Sequence, residues 1–349
     1  MRAIDFFCGG GGMTRGLLNA GINVVAGIDV CPDYRDTYVN NNQVPFVAKS
    51  IVDITETDIL NVLPDIQTAT DTLFVGCAPC QPFSQQRKSV SEHKDKFLLS
   101  AFGTMIEQYK PCYVLIENVP GIRGKGKEVF QSFLDLLKRN KYDYRTEVIN
   151  AKKYGVPQNR NRLVLIASRV TKAILPEPIC DGSEDHPYRT VADALHHFPP
   201  IIAGQSYDGI PNHKAATLSE LNMQRIMATP HDGGSRTSWP TELVLKCHKA
   251  KDAGHTDVYG RMAWEKIAPT LTSKCCSISN GRFGHPDQNR AISFREAAAL
   301  QSFPDDYVFY GKSDAIISRQ IGNAVPVLLA EAIGHALIQM EQNAIETKE

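Results

Sequence analysis

Two cysteines three residues apart lie in a loop that follows a short apolar run. The run is Thr72–Gly76, and the loop reads GCAPCQPFS, with Cys77 and Cys80 inside it. In an open α/β sheet, loops at the carboxyl ends of strands line the ligand crevice. Prolines on both sides of Cys80 restrict its backbone. Cys80 is therefore a candidate nucleophile.

The Cys-x-x-Cys spacing has two competing interpretations, a redox pair and half of a zinc site. No second Cys-x-x-Cys occurs in the sequence, and Cys275 and Cys276 are adjacent rather than spaced for zinc. A thioredoxin-like pair would normally open a helix, whereas Pro82 and the polar residues after it are typical of a loop. Both alternatives are disfavoured by these observations and stay open at this point.

An acid and two arginines border other apolar runs. Glu117, in IENVPG, falls at the predicted carboxyl end of the next strand, where an acid beside a nucleophile favours acid–base chemistry. Arg160 and Arg162, in QNRNR, can point to one side of an extended segment together with Gln158. Two guanidiniums there could bind a phosphate or a carbonyl. Salt bridges at a domain edge are the alternative.

A glycine-rich turn opens the chain. Ala3–Phe7 leads into CGGGG, and a predicted helix follows from Met13, so backbone can approach a small molecule closely. Asp29 lies 20 residues after Gly9, at the end of the next strand, where an acid can hold ribose hydroxyls. The dinucleotide and P-loop patterns both fail. A nucleoside without a pyrophosphate, such as S-adenosylmethionine, fits better, and a purely structural turn is the alternative.

Alternating strands and helices must position these residues. The predicted strands are Ala3–Phe7, Val24–Val30, Thr72–Gly76, Tyr113–Val119 and Leu163–Ala167. The predicted helices between them are Met13–Asn19, Pro32–Asn40, Phe97–Gln108 and Val129–Arg139. Alternation of this kind predicts an α/β fold with a mostly parallel sheet.

The chain changes character after about residue 171. Residues 176–213 are rich in Pro, Gly, His and Asp, and a second irregular run follows a helix-like piece at Leu218–Met227. Regular patterning returns with FREAAALQSF and with the apolar segment Val325–Ile338, a predicted helix. We predict a catalytic domain made of 1–170 and 315–349, and a smaller, loop-rich domain at 171–314.

Composition restricts the class of protein only loosely. The chain of 349 residues is 42% hydrophobic and 22% charged, with 38 basic and 38 acidic side chains, which neither reveals nor excludes nucleic acid. Nine unevenly spaced cysteines fit a reducing compartment better than a disulfide framework. The sequence shows no signal peptide, and no apolar stretch is expected to cross a bilayer.

Six segments resemble, in order, the motifs of the cytosine-C5 DNA methyltransferase family. DFFCGGGGMTRGL is similar to its cofactor motif, GCAPCQPFS to its Pro-Cys motif, ENVPG to its Glu-Asn-Val motif and QNRNR to its Gln-x-Arg-x-Arg motif. FREAAALQSFPD and RQIGNAVP are similar to its last two motifs, so the resemblance spans nearly the whole chain. It implies a Rossmann-like methyltransferase sheet with a smaller target-recognition domain, whose variable region would be about 171–261.

The resemblance also implies roles for individual residues. Cys80 matches the nucleophile that attacks C6 of a flipped-out cytosine, and Glu117 matches the acid that contacts N3 and N4. Arg162 and Arg160 match the arginines that hold the base carbonyl and order the cysteine loop. The implied contacts to S-adenosylmethionine are Phe6, Gly9, Gly11, Asp29, Asp53, Ile54, Pro79, Asn323 and Val325. Asp29 departs from the family, which more often has Glu there, and Cys77 occupies a position that is commonly not cysteine.

The partners that the resemblance implies are double-stranded DNA and, functionally rather than physically, a cognate restriction endonuclease. No metal and no membrane are expected, and the enzyme would be a monomer in the bacterial cytoplasm, associated with the nucleoid. It would serve restriction–modification or act alone. Three alternatives are open. An RNA cytosine methyltransferase is disfavoured by the recognition insert, and a non-catalytic regulator by the presence of Cys80 together with Glu117. A dehydrogenase is disfavoured because the dinucleotide pattern is broken.

Overall fold

The computed structural model describes residues 1–78, 96–249 and 257–347. Chain contacts divide it into two units: the first contains 1–154, 161–179 and 325–349, and the second contains 155–160 and 180–324. The boundaries thus fall at 179/180 and 324/325, rather than at the expected 170/171 and 314/315. Residues 155–160 join the second unit because Gln158 and Arg160 hydrogen-bond there.

A seven-stranded sheet organises the first unit. Its strands are β1 (Arg2–Phe6), β2 (Asn23–Asp29), β3 (Phe46–Ala48), β4 (Thr72–Gly76), β5 (Tyr113–Asn118), β6 (Asp143–Asn150) and β7 (Asn161–Ser168). Their order across the sheet is β3-β2-β1-β4-β5-β7-β6. The first five strands pair in parallel, whereas β7 runs antiparallel to both β5 and β6. The predicted α/β class with a mostly parallel sheet is confirmed.

The five predicted strands all occur, within two residues at each end. They are recognisable because strands buried on both faces read as continuous apolar runs, and β4, TLFVG, is buried throughout. The prediction missed β3, which has three residues, and β6, whose sequence DYRTEVIN is only partly buried. Both lie at the edges of the sheet, where the apolar signal is weakest.

Helices pack on the sheet and fill the first unit. They are α1 (Gly12–Asn19), α2 (Arg35–Asn42), α3 (Glu56–Val62), α4 (Lys96–Tyr109), α5 (Lys127–Arg139) and α10 (Val327–Glu346). The short helix α3 was not predicted, although Thr55 and Asp58 form a capping box at its start. The predicted helix at Pro32–Asn40 is a 3-10 turn, Pro32–Tyr34, followed by α2.

The first and last helices of this unit pack against each other at a glycine. A Cβ placed on Gly16 of α1 would lie 2.4 Å from the Cβ of Ala330 and 2.5 Å from the carbonyl oxygen of Val327. No side chain larger than hydrogen fits at that distance, so glycine sets how closely α1 and α10 approach. A helix from the end of the sequence thereby covers the first helix after the glycine turn.

One helical stretch among the described residues, Asp314–Glu346, is apolar and long enough to meet a composition test for membrane spans, contrary to our expectation. Its most apolar window is 61% buried. Within α10, Leu329, Ile333 and Leu337 are fully buried in the first unit. The apolar composition of α10 is therefore explained by its place in a protein core.

In its described residues, 155–160, 180–249 and 257–324, the second unit has little regular structure apart from four helices. These are α6 (Val191–Leu195), α7 (Glu220–Met227), α8 (Phe294–Leu300) and α9 (Asp314–Asn323). Buried arginines hold the irregular backbone: Arg261 donates to the carbonyls of Thr229, Ile226 and His285. Arg290 pairs with Glu296 through two hydrogen bonds of 2.7 Å. These buried charges are tolerated because their donors are satisfied.

Candidate active site

The carboxyl ends of four parallel strands meet at one edge of the sheet. Phe6, the last residue of β1, is level with Ile28 of β2 and with Gly76, the last residue of β4. Gly76 in turn is level with Ile116 of β5. The strand order reverses between β1 and β4, and such a switch point is where open α/β sheets bind ligands. The glycine turn follows β1 and the cysteine loop follows β4, the two strands on either side of this switch point.

The glycine turn after β1 has the backbone geometry of a ligand cradle. Gly9 and Gly11 have φ angles of 54° and 86°, in the left-handed region that glycine adopts without strain. A Cβ on Gly9 would meet no atom within 4 Å, so the space beside this glycine is open. Gly11 then caps the start of α1. The turn thus presents bare backbone to an open space.

The two phenylalanines at the end of β1 have different environments. Phe6 is fully buried, and its ring packs edge-on against Phe74 and Phe102, with centroids 5.1 and 5.4 Å apart. Phe7 is half-buried and has a φ of 63°, an uncommon conformation for a residue with a side chain. The Phe6 ring is therefore a core group, whereas the ring of Phe7, to which the sequence analysis gave no role, is partly open to a ligand.

The expected ribose acid, Asp29, is joined to the glycine turn. One of its oxygens accepts the Gly9 N–H at 3.0 Å, and the other accepts the Cys31 N–H at 2.9 Å. Burial raises the pKa of Asp29, and these backbone donors oppose the rise. Each carboxylate oxygen keeps a further lone pair that could accept from a hydroxyl group.

Apolar and acidic side chains flank this turn. Val30, next to Asp29, is 68% exposed, and Val52 in the 3-10 turn after β3 is 65% exposed. Asp53 is exposed and Ile54 is half-buried. An acid between apolar neighbours suits a nucleoside base, which offers an apolar ring face and a polar edge.

A buried polar chain lies behind the turn. The Oδ2 atom of Asp5 accepts from the Thr14 hydroxyl at 2.6 Å, and that hydroxyl lies 2.8 Å from the Tyr38 hydroxyl. Asp5 is fully buried, and burial raises its pKa to about 7. The Tyr38 hydroxyl reaches Thr14 past Gly27, where a Cβ would lie 2.3 Å from it. The chain joins β1, α1 and α2 beneath the glycine turn.

The cysteine loop begins in the described part of the structure, but Pro79 and Cys80 lie outside the described residues. Its start is held by Asn118 at the end of β5, whose amide donates to the Ala78 carbonyl at 3.3 Å. Burial and the neighbouring Glu117 raise the pKa of the Cys77 thiol well above its usual range. Cys77 therefore stays a thiol. Asn118 is a positioning residue to which we had assigned no role.

Glu117 and Arg162 form a buried ion pair at the end of β5. The Nε atom of Arg162 lies 2.7 Å from the Oε1 atom of Glu117, and their side chains are 12% and 10% exposed. Burial lowers the pKa of Arg162, whereas Glu117 opposes that fall. Nη1 of Arg162 donates to the Asn161 carbonyl, and within the described ranges no residue accepts a hydrogen bond from Nη2. The pair presents an acid and a guanidinium donor together.

Arg160 has a different environment. It is 1% exposed, and its terminal nitrogens donate to the carbonyls of Leu271, Gly322 and Ala324 at 2.8–3.1 Å. The fourth of these N–H groups donates to the Gln158 side chain at 3.2 Å. All four terminal N–H groups are thus used inside the second unit. Arg160 supports its own unit rather than offering a donor to a base, which corrects our expectation of a shared role with Arg162.

The last two expected cofactor residues belong to different units. Asn323 is the exposed final residue of α9 in the second unit, and Val325 is a buried residue of the first unit. Across 1–78, 96–249 and 257–347, no cluster of three or more His, Cys, Asp or Glu side chains could hold a metal ion.

Comparison with known proteins identifies the family. The profile of C-5 cytosine-specific DNA methylases matches residues 1–339. The chain is 40% identical to the Type II methylase M.HgiDII of Herpetosiphon aurantiacus, over 96% of this chain and 94% of that protein. It is 34% identical to the Type II methyltransferase M1.HphI of Haemophilus parahaemolyticus, with coverages of 97% and 87%.

Solved structures agree on the fold. A DNA modification methyltransferase encoded within an E. coli prophage superposes with a TM-score of 0.69 at 22% identity, covering 98% of this chain and 99% of that one. Dnmt2 of S. pombe superposes with a TM-score of 0.58 at 17% identity, with coverages of 97% and 98%. The chain therefore belongs to the family of C-5 cytosine-specific DNA methylases and is a DNA (cytosine-5) methyltransferase.

Proposed function

We propose that this enzyme methylates cytosine within a specific double-stranded DNA sequence, using S-adenosylmethionine and a covalent bond between Cys80 and C6 of a flipped-out base. The buried Glu117–Arg162 pair is the observation that carries the proposal. It lies at the end of the strand next to the one that leads into the cysteine loop. An acid and a guanidinium held there suit the edge of a cytosine ring, which has a basic N3, an amino group and a carbonyl.

The glycine turn fits S-adenosylmethionine. Phe7, Gly9, Gly11 and Asp29 would hold its nucleoside, with the acid on the ribose hydroxyls and the open space beside Gly9 admitting the ligand. Asp53 would lie near the adenine amino group. The other proposed contacts to the cofactor are Ile54, Pro79, Asn323 and Val325. When bound, the cofactor supplies an electrophilic methyl group on a sulfonium. A dinucleotide remains disfavoured, since the turn lacks its sequence pattern.

The residues divide the chemistry among them. Cytosine is too unreactive at C5 to accept a methyl group unaided, so the Cys80 thiolate adds to C6 and makes C5 nucleophilic. Glu117 contacts N3 and N4 and makes C6 more electrophilic, while Arg162 donates to the base carbonyl. Loss of the C5 proton after methylation then breaks the Cys80–C6 bond and restores the aromatic ring. Attack from the ring face requires the base to leave the helix stack.

Two cysteine substitutions test the nucleophile. Cys80→Ala is expected to abolish methyl transfer from radiolabelled S-adenosylmethionine while leaving duplex DNA binding largely intact. Cys77→Ala is the matched control, since the Cys77 thiol is held protonated, and it should retain most of the activity. Full activity of Cys80→Ala would overturn the mechanism.

A fluorinated substrate tests the covalent step. DNA with 5-fluorocytosine at the target should form a stable adduct with the wild-type enzyme in the presence of cofactor, because fluorine at C5 cannot leave as a proton does. Cys80→Ala should form none. A wild-type enzyme that methylates ordinary DNA yet never forms this adduct would contradict attack at C6.

The biological setting is part of the proposal. The relatives at 40% and 34% identity are Type II enzymes, so we propose a modification methylase that protects the target of a restriction endonuclease without binding that nuclease. It would act as a monomer on DNA in the bacterial cytoplasm, associated with the nucleoid. Bisulfite sequencing of host DNA after expression should show one methylated sequence, and uniformly unmethylated DNA would contradict the proposal.

A further inference from the structure

The variable region that we expect to read DNA has an uneven charge distribution. Residues 170–261 contain nine Lys or Arg and eleven Asp or Glu, so the region as a whole is not basic. Residues 233–249, however, contain Arg236, Lys246 and Lys249 against a single acid, Glu242. DNA affinity comes largely from cations that contact phosphates, so a local basic surface matters more than the net charge.

An aromatic cluster of the second unit supports this segment. Trp239 and Tyr259 are buried, with ring centroids 5.2 Å apart. The guanidinium of Arg225 lies over both rings, at 5.7 and 5.6 Å, and donates to the Leu243 carbonyl. Arg225 is thus a structural cation, held in place by rings and backbone.

Arg236 contrasts with Arg225. It lies in the 3-10 turn Arg236–Ser238, immediately before Trp239, and is half-buried. Its Nε atom is buried and has no hydrogen-bond partner. Across the described residues, no carboxylate forms an ion pair with Arg236. A guanidinium that is partly desolvated and yet unmatched is costly unless a ligand completes it.

His248 connects the two lysines to Arg236. Its ring lies 6.2 Å from the Tyr259 ring, and its Nδ1 atom is also buried without a partner. The Tyr259 ring also packs on Trp239, at 5.2 Å between centroids, and Arg236 belongs to the turn just before Trp239. Burial lowers the pKa of His248, and the charges of Arg236 and Arg225 lower it further. Lys246 and Lys249 lie in the same turn as His248, are exposed, and have no ion-pair partner among the residues that the structure describes.

We propose that Arg236, Lys246 and Lys249, which we call the basic surface, bind backbone phosphates of the DNA substrate. This inference rests on the proposed function and deepens it by naming the residues that hold the duplex. Nothing in the surface is arranged to read one base in particular, since two of its three cations are flexible lysines. The basic surface therefore supplies affinity and register, and sequence discrimination comes from other residues of the region.

Salt dependence of DNA binding tests the basic surface. Fluorescence anisotropy with a short duplex of unrelated sequence gives the slope of log K against log salt concentration, whose magnitude falls by about 0.9 for each phosphate that the protein no longer neutralises. Arg236→Gln and Lys246→Gln should each lower the magnitude of the slope by about 0.9. When salt rises from about 50 to about 200 mM, the factor by which DNA affinity falls should then be roughly 3.5 times smaller for each variant than for the wild type. The double variant should show about twice the change in slope.

Arg139→Gln is the matched control, because Arg139 is an exposed arginine of the first unit, paired with Glu107. Its slope should equal that of the wild type. Lys246 is exposed, so Lys246→Gln should leave the fold intact. The fluorescence of Trp239 shows whether the aromatic cluster is unchanged in each variant. Unchanged slopes in Arg236→Gln and Lys246→Gln would overturn the inference, as would weaker binding confined to the methylated sequence at constant slope. Absence of DNA methylation by the wild type would instead overturn the proposed function.

Discussion

The buried pair at the end of β5 should be strongly coupled in energy. We consider a double-mutant cycle in which Glu117→Gln removes the acid's charge and Arg162→Met removes the guanidinium but keeps an apolar stem. Breaking one partner of a buried pair costs about 3–5 kcal/mol, because the other charge stays buried without compensation. The Nε–Oε1 distance is 2.7 Å and the side chains are about a tenth exposed, so water can screen a remaining charge slightly.

We therefore expect each single substitution to lower the free energy of unfolding by about 3 kcal/mol, at the lower end of that range. The double variant should lose only about 1 kcal/mol, because no unpaired charge is left. The coupling energy, which is the sum of the single losses minus the loss in the double variant, is then about 5 kcal/mol. Methyl transfer should be lost in all three variants, since both groups contact the base in the proposed mechanism.

Urea unfolding followed by two probes measures this cycle. Both tryptophans, Trp239 and Trp264, belong to the second unit, so their fluorescence should change little with the substitutions. Hydrogen exchange of the β5 and β7 amides reports on the first unit, where the destabilisation should appear. Single effects that add up to the double effect within about 0.5 kcal/mol would refute the coupling.

Two further predictions concern the glycine turn. The pKa of Asp5 is about 7 in the folded chain against 3.8 unfolded. The folded state therefore binds the extra proton between these values, and the free energy of unfolding should fall by up to roughly 4 kcal/mol from about pH 4 to about pH 7. Asp5→Asn should reduce that slope in urea titrations to the part that the raised pKa of Asp29 contributes, and an unchanged slope would contradict it. Phe7→Ala should weaken S-adenosylmethionine binding about tenfold in calorimetry, with little loss of stability. Phe6→Ala should instead lower the free energy of unfolding by about 3–5 kcal/mol. The reverse pattern would indicate that the Phe6 ring, and not the Phe7 ring, contacts the cofactor.

The sequence predicted those elements well whose residues are buried along their whole length, because such elements appear as continuous apolar runs. β4 was predicted at its observed bounds because an unbroken apolar run bounded by polar residues admits few other interpretations. The motif residues Glu117 and Arg162 were recognised for the same reason, since each lies at the end of such a run. Edge strands gave too weak a signal, and β6 alternates half-buried and exposed residues over much of its length.

The remaining features depend on conformation or on distant contacts. The half-buried Phe7 has a positive φ angle that no local pattern encodes for phenylalanine, so the sequence could not distinguish its environment from that of the buried Phe6. The environment of Arg160 is set by carbonyls of Leu271 and Gly322, more than a hundred residues later in the chain. Sequence spacing correctly placed Arg160 and Arg162 two residues apart, but it could not show that they serve different units.

The close packing of α1 and α10 also has a consequence for the order in which the protein is made. At ribosomal rates of about 5–20 residues per second, α10 emerges roughly 15–60 seconds after α1. During that time the α1 surface around Gly16 lacks its cover. The entire second unit is translated within the same interval. A nascent chain thus completes the first unit only after the whole second unit has been synthesised, and a chain that stops within the second unit leaves α1 without α10.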